Sequence, residues 1–502
     1  MEQQDYNFLN KKDSYEIFSS ETIASYSSYN ENSHLIEKKI DNQEYLNINS
    51  VFNKISSSLI AMLQGVEVLC NFSIMFLFKD NYKLDPASLN IVMSLIKIPW
   101  SIKLLWAILS DSYPIFGYRR KYYLLLGSLS CIISLVSLGL INHTNIGLTI
   151  GLLIIFFFGS SLCNVIGEAQ VVESSRKGSF NNSAKNVSAF FAFRKFSFAA
   201  MSYLSGYLLS FMIKQHIFII GSFLPICVFV SSFFIIEKKN CKKTCMKEQV
   251  KCIYDILKIP HIKNIIIFIF IMMSTPSCGN TLFFFMTNEL KFGVQLLGKM
   301  DMFRSIASLI SILSYMFFFS KMDIGKLLFY STIIITPFCL LPLIVVNKLN
   351  NFFYIPNSVF IITDTILIEF IGEFQTMPLL VLCSRIIPEG LESTIYSLLL
   401  SANNLALIIS SFFSSVLTYI LGITSTNFKN LSLMIIICSL TNLIPLFFMY
   451  IVPTFNNRDL HKYNYPCEKI DYETTDFASS SSEKNGKNNL SEKIHINGIS
   501  LE

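Results

Sequence analysis

The chain has 502 residues, of which 52% are hydrophobic and only 15% charged, with 46 Phe. A soluble domain carries about a quarter charged residues to face water, so this composition excludes an ordinary soluble enzyme. It also excludes a disordered protein, which needs low hydrophobicity, and 12 Cys in this length do not make a disulfide scaffold. A polytopic membrane protein remains.

Residues 1–54 form a polar, Asn- and Ser-rich tail; its first 50 positions hold four Lys against nine Asp/Glu. No apolar run preceded by basic residues opens the chain, so no cleavable signal peptide is expected and the first span is expected to direct insertion. From Ile55 apolar stretches of about 20 residues alternate with short polar joints, the length that crosses a bilayer as helix. Twelve are expected, at 55–78, 88–109, 122–141, 148–173, 187–212, 217–236, 263–286, 301–320, 326–346, 357–383, 393–421 and 430–452. The longest joint, 237–262, divides them into six-helix halves at 55–236 and 263–452, and a second polar tail occupies 453–502. Both tails read as disordered.

Joints on the side of the tails hold about 17 Lys/Arg and the opposite joints about 7, which places both termini in the cytoplasm. The two tails are acidic, so the net +6 conceals a more strongly cationic membrane part. Eight lysines between Lys238 and Lys263 read as an inner anchor of the long joint. Cys241, Cys245 and Cys252 there have neither CxxC spacing nor a histidine at ligand distance, so free thiols are expected and no metal.

The halves repeat. Gly167-Glu168-Ala169-Gln170 in span 4 matches Gly372-Glu373-Phe374-Gln375 in span 10, 205 positions later, and spans 1 and 7 start 208 apart. Parallel six-helix repeats are the organisation of the major facilitator superfamily, whose halves rock about a midplane site. The joint after span 2 supports this with Asp111, Gly117 and Arg119-Arg120-Lys121. Gly117 permits a tight turn and Asp111 is placed to cap helix ends or pair with their cations. Asp111, Gly117, Arg119, Arg120 and, at the end of span 4, Arg176 are the candidate gating residues. Lys321-Met322-Asp323-Ile324-Gly325-Lys326 after span 8 looks like a shortened counterpart.

Lys97-Ile-Pro99-Trp100, Ser110-Asp111-Ser-Tyr-Pro114, Val171-Val-Glu173-Ser-Ser-Arg176, Phe284-Phe285-Met-Thr287-Asn-Glu-Leu290 and Arg385-Ile-Ile-Pro388-Glu389-Gly390 closely resemble the folate–biopterin transporter family over about 55–452. The resemblance implies an all-α, twelve-helix major facilitator fold and uptake of folates, pterins or p-aminobenzoate-type precursors. The family tends to carry acids in span 4 where this chain has Asn164 and Glu168. The Asn, Lys, Ile and Phe bias fits an AT-rich genome, such as that of a protozoan member.

Independently of the family, a charge inside a span costs a few kcal/mol on insertion scales and marks a functional candidate. Gln64, Glu67 and Asn71 share one face of span 1; Lys97 and Lys103 lie in span 2; Arg194 and Lys195 in span 5; Asn280 near a Ser274–Gly279 break in span 7; and Asn403 in span 11. These are the candidate substrate-binding residues. Glu168, Glu369 and Glu373 are the candidate proton carriers. Glu67–Lys97, Glu168–Arg194 and Asp301–Arg304 are the expected pairs, the last near the outer end. A folate's two tail carboxylates suit Arg194, Lys195, Lys97 or Lys103, and its amino-pyrimidine donors suit Glu67 or Glu373. Phe190, Phe193 and Phe196 surround Arg194 in the sequence and are placed to stack on the ring.

The expected activity is therefore secondary active transport, proton-coupled, by a monomer in the plasma membrane, without cofactor or catalytic residue. The alternatives are a carrier of another organic anion or drug, a sensor that kept the fold, or an intramembrane enzyme. For the last no buried histidine, P-loop or nucleophile elbow is present. No continuous basic stripe suggests nucleic acid.

Overall fold

The computed structural model describes residues 55–141, 145–176, 180–235, 237, 246–319, 322–386 and 392–451. Among these the architecture is helical, and the single extended pairing is a bridge between Ile115 and Tyr118. The first span is α1 (Ile55–Asn81). The second is broken into α2 (Pro86–Ile96), α3 (Ile98–Ser101) and α4 (Lys103–Ser112). Three continuous spans follow: α5 (Lys121–Leu140), α6 (Ile146–Arg176) and α7 (Phe180–Leu209). The sixth is α8 (Lys214–Gly221) with α9 (Phe223–Phe233).

The linker contains a helix, α10 (Met246–Leu257), with Lys247 and Lys251 exposed and Ile253 buried. The seventh span is divided into α11 (Pro260–Met273) and α12 (Gly279–Phe284). The rest are α13 (Val294–Ser314), α14 (Ile324–Leu340) with α15 (Pro342–Val346), α16 (Asn357–Ile386), α17 (Glu392–Ile420), and α18 (Leu431–Thr441) with α19 (Ile444–Phe447). Eight spans among the described residues are long and apolar enough to cross a membrane. Outside that set are the two broken spans and α7 and α16, which carry mid-span charges.

Two helix starts differ from the sequence expectation. α7 begins at Phe180 instead of residue 187, and α13 at Val294 instead of 301. Local hydropathy does not separate a polar or glycine-containing helix start from a joint: Asn181, Asn182 and Lys185 lie within α7, and Gly298 and Lys299 within α13. As a result Asp301 and Arg304 sit about 10 Å inside α13, away from its end.

Both breaks have their backbone groups satisfied from other helices. At the break in span 2, the Pro99 carbonyl accepts from Ser161 Oγ (3.0 Å) and the Trp100 carbonyl from Asn404 Nδ2 (3.0 Å), while Leu104 N–H donates to Ser401 Oγ (2.9 Å). At the break in span 7, Ser410 Oγ donates to the Thr275 carbonyl (2.6 Å) and Ser277 N–H to Ser414 Oγ (2.8 Å). Buried backbone groups need such partners wherever a helix ladder is interrupted. α17 thus serves both breaks.

The repeat is visible in the backbone. α1 ends in a π turn at Leu77–Asn81, and a second π turn follows α12 at Phe285–Glu289. Lys83 and Lys291, 208 positions apart, both take left-handed backbone (φ 53° and 56°). Each is followed by the same closing bond, Leu84 N–H to Phe78 carbonyl (3.0 Å) and Phe292 N–H to Met286 carbonyl (2.9 Å).

Small residues let neighbouring helices approach. α7 and α13 meet at Gly206 and Gly298, where a Cβ built on either residue would lie 2.6 Å from the other's Cα. α5 packs on α6 through Gly127 and Gly159. α2 packs along α17 and α7 along α13, which joins the N-terminal half (α1–α9) to the C-terminal half (α11–α19).

Candidate functional site

Lys103, the first residue of α4, is 2% exposed. Its Nζ donates to Asn164 Oδ1 (2.6 Å) and Glu168 Oε2 (2.7 Å) on α6. The second Glu168 oxygen accepts from Arg194 Nη2 on α7 (3.0 Å). Two cations therefore share one carboxylate. Arg194 also lies over the Phe190 ring, 4.9 Å from its centroid. Phe193 and Phe196 are exposed and do not build the aromatic surround expected of them.

Lys195, the next residue, reaches the other half. Its Nζ donates to Ser308 Oγ on α13 (2.7 Å) and to Glu373 Oε1 on α16 (3.1 Å), and Ser308 also donates to Glu373. Consecutive cations on α7 thus hold the two glutamates of the repeated Gly-Glu-x-Gln pattern, Glu168 in one half and Glu373 in the other.

The expected Glu67–Lys97 ion pair is not formed. Glu67 accepts from Ser160 of α6 instead. Lys97 stands at the break between α2 and α3 with its side chain open and no ion pair among the described residues. The charges nearest to it in effect are Glu67 on α1 and Arg304 on α13. Arg304 pairs with Asp301 (3.3 Å), with Glu369 Oε2 on α16 3.9 Å away. In the C-terminal half, one cation faces two carboxylates.

Gln64 is half-buried on α1, and Asn71 donates to Met75 Sδ (3.7 Å). Asn403 is half-buried beside Asn404. Asn280 Nδ2 donates to Asn90 Oδ1 (2.6 Å), joining α12 to α2 at the end of the bundle away from the Arg119–Lys121 joint. Further contacts close that end. Phe76 meets Phe283 edge-on (5.2 Å), Ser415 Oγ donates to the Ala87 carbonyl (2.8 Å), and Ser425 N–H donates to Asp85 Oδ1 (3.0 Å). Lys79 Nζ lies 5.3 Å from the Phe76 ring centroid and 5.9 Å from that of Phe283.

In the basic joint Phe116 and Gly117 both have positive φ (51° and 85°), the tight turn expected of Gly117. Arg120 pairs with Asp111 (2.8 Å) and donates to Ser110 Oγ (3.0 Å). Glu237 accepts from the backbone N–H groups of Arg119 (2.8 Å), Arg120 (3.0 Å) and Lys121 (3.1 Å), capping α5. Arg176 ends α6, and its side chain lies outside the described residues, as do Cys241, Cys245 and the side chain of Cys252.

Sequence reading missed Ser160, Ser308, Asn90 and Glu237. Ser308 had a signal, since it follows Arg304 by one helical turn on the same face. Glu237 had none, standing more than 110 positions from the amides it caps.

The BT1 family pattern matches residues 64–468. "Folate transporter 1" of Plasmodium falciparum is 66% identical over 505 residues, covering 100% of both chains. The "Folate-biopterin transporter" of a Synechocystis species is 32% identical over 78% of this chain and 80% of that protein. Among solved structures, the D-xylose-proton symporter superposes with TM-score 0.62 at 13% identity, covering 80% of this chain and 98% of the other. The nucleoside transporter NupG gives TM-score 0.60 at 16% identity, covering 81% and 100%. The fold is that of the major facilitator transporters, and the chain belongs to the BT1 family of multi-pass membrane transport proteins.

Proposed function

We propose that this protein carries folates, or related pterin and p-aminobenzoate-type anions, across a membrane by alternating access coupled to protons. The observation that carries the reading is the polarity of charge across the space between the halves. On the N-terminal side Lys103 and Arg194 share Glu168, and Lys97 is open without an ion partner among the described residues. On the C-terminal side Arg304 faces both Asp301 and Glu369. A folate has the matching polarity, two carboxylates at one end and an amino-pyrimidine donor edge at the other. Arginine and lysine neutralise the first, and carboxylates accept from the second. The names of the relatives support the same substrate class.

The Lys195–Glu373 pair joins the halves at mid-depth, so opening a path between them requires it to part. A substrate carboxylate that competes for Lys195 would favour that step. The excess of basic residues in the joints on the side of the tails supports cytoplasmic termini, and an anion entering against an inside-negative potential needs a coupled cation.

Uptake of labelled folate and p-aminobenzoate by the purified protein in liposomes tests the reading. Wild-type protein should show saturable uptake, driven by an inward proton gradient and competed by folates but not by unrelated anions. Arg194→Ala and Lys97→Met each remove a charge-assisted contact worth about 1.5–3 kcal/mol, so the half-saturating concentration should rise roughly ten- to a hundredfold. Wild-type kinetics in both variants would remove the site assignment.

A further inference from the structure

The helix α16 carries three acids, Asp364, Glu369 and Glu373, and they do not share one environment. Glu373 is held by Lys195 and Ser308, and Glu369 looks toward Arg304. Asp364 precedes Glu369 by five residues, which turns it about 140° around the helix. It is 5% exposed, and its Oδ1 has no hydrogen-bond partner. Among the described residues no cation pairs with it.

Two thiols feel its charge. Cys278, at the break between α11 and α12, and Cys339 of α14 lie within electrostatic reach of Asp364. Cys339 is in turn linked through Asn442 Nδ2 (3.6 Å) to Thr275 at the same break, whose Oγ1 lies 3.2 Å from Asn442 Oδ1. The charged groups on the helices packed against α16 are engaged or remote. Arg304 and Asp301 of α13 face each other and Glu369, while Lys326 of α14, Lys263 of α11 and Lys348 beyond α15 are exposed toward the ends of their helices. α17 presents Asn403 and Asn404, which do not titrate in this range.

A carboxylate buried without counter-ion or donors is neutralised by a bound proton. The other intramembrane acids have a cation or a donor: Glu168 two cations, Glu373 Lys195, Asp301 and Glu369 Arg304, and Glu67 Ser160. We propose that Asp364 is the residue that binds the coupling proton, next to the unwound Ser274–Cys278 stretch of span 7. Release of the proton places a negative charge beside that break, so the protonation state acts on a segment that helix geometry does not already fix. The inference rests on the transport reading above and adds where the proton sits.

The test uses the full chain in liposomes loaded with unlabelled folate or with buffer, comparing wild type, Asp364→Asn and Asp364→Glu. Counterflow exchange of labelled folate needs no net proton movement, whereas accumulation driven by a pH gradient does. Asp364→Asn imitates the protonated form, so it should melt like wild type and exchange folate at a similar rate. It should also lose gradient-driven accumulation, with uptake independent of pH. Asp364→Glu should keep driven accumulation with a shifted pH midpoint. Gradient-driven accumulation in Asp364→Asn overturns the proposal. So does failure of Asp364→Asn to fold while Asp364→Glu folds, because that marks an ionised structural carboxylate. If wild-type protein neither exchanges nor accumulates folate, the transport reading falls first and this inference with it.

Discussion

Glu168 is held from two sides, and its loss is felt twice. In Glu168→Gln, Lys103 and Arg194 remain buried with no carboxylate between them, and removing one partner of a buried ion pair costs about 3–5 kcal/mol. The variant should melt well below wild type in detergent, and a second change, Lys103→Gln, should restore part of the difference. Unchanged melting of the single variant would show that the triad bears no structural weight. Lys97→Met is the contrasting case. Having no ion partner among the described residues, it should shift stability by about 1 kcal/mol or less while weakening uptake. The Glu168–Arg194 contact is legible because both charges lie well inside neighbouring spans on the side of the same joint, eight residues before the end of α6 and fourteen after the start of α7. The same counting failed for Glu67 and Lys97. Which neighbour a carboxylate takes depends on the approach of a third helix, here the one that brings Ser160.

At the scale of elements, the paired turns at Lys83 and Lys291 offer a direct test of duplication. Left-handed backbone costs a non-glycine residue about 1–2 kcal/mol, and a β-branched side chain tolerates it least. Lys83→Val and Lys291→Val should therefore lower the melting temperature by similar amounts, and a large inequality would mean that the turns are not equivalent. The helix breaks depend on side chains from elsewhere. Ser414→Ala removes the acceptor of Ser277 N–H and should cost about 1–3 kcal/mol through the unsatisfied donor, read as lower melting; an unchanged melting temperature would count against that role. Sequence locates the break in span 7, because the Ser-Thr-Pro-Ser run cannot continue a helix, whereas span 2 reads as one continuous stretch over 88–109. It could not show that α17 completes both, because hydroxyls spaced along an apolar helix give no sign of which backbone they serve. The starts of α7 and α13 are hidden for a related reason: Asn181, Asn182 and Lys185 in α7, and Gly298 and Lys299 in α13, interrupt the apolar pattern without ending the helix.

For the whole molecule, the contacts between α2 and α12 hold one end of the bundle shut. With Asn90 and Asn280 replaced by cysteines, a short bifunctional thiol reagent should join the halves there and abolish uptake, while either single variant treated alike keeps it. Undiminished uptake after joining would mean that this end does not open during transport. Span count and the 208-residue offset are what suggest two halves, since duplication leaves matching lengths even where residues have diverged. The closed end was not legible, because Asn90, Phe76 and Phe283 look like ordinary residues of apolar spans until the partner half is beside them.

The meeting of Gly206 and Gly298 bears on how such a molecule moves. Most helix contacts interlock, and tilting one helix against another lifts side chains out of the grooves that hold them. Where two glycines touch through their Cα atoms there is no knob to lift, so α7 and α13 can roll on one another at that point with little repacking. The contact serves as a plain bearing. It lies on the same two helices that carry Lys195 and Ser308, and a single added methyl group there would act like grit in the joint, slowing the cycle without touching any ligand.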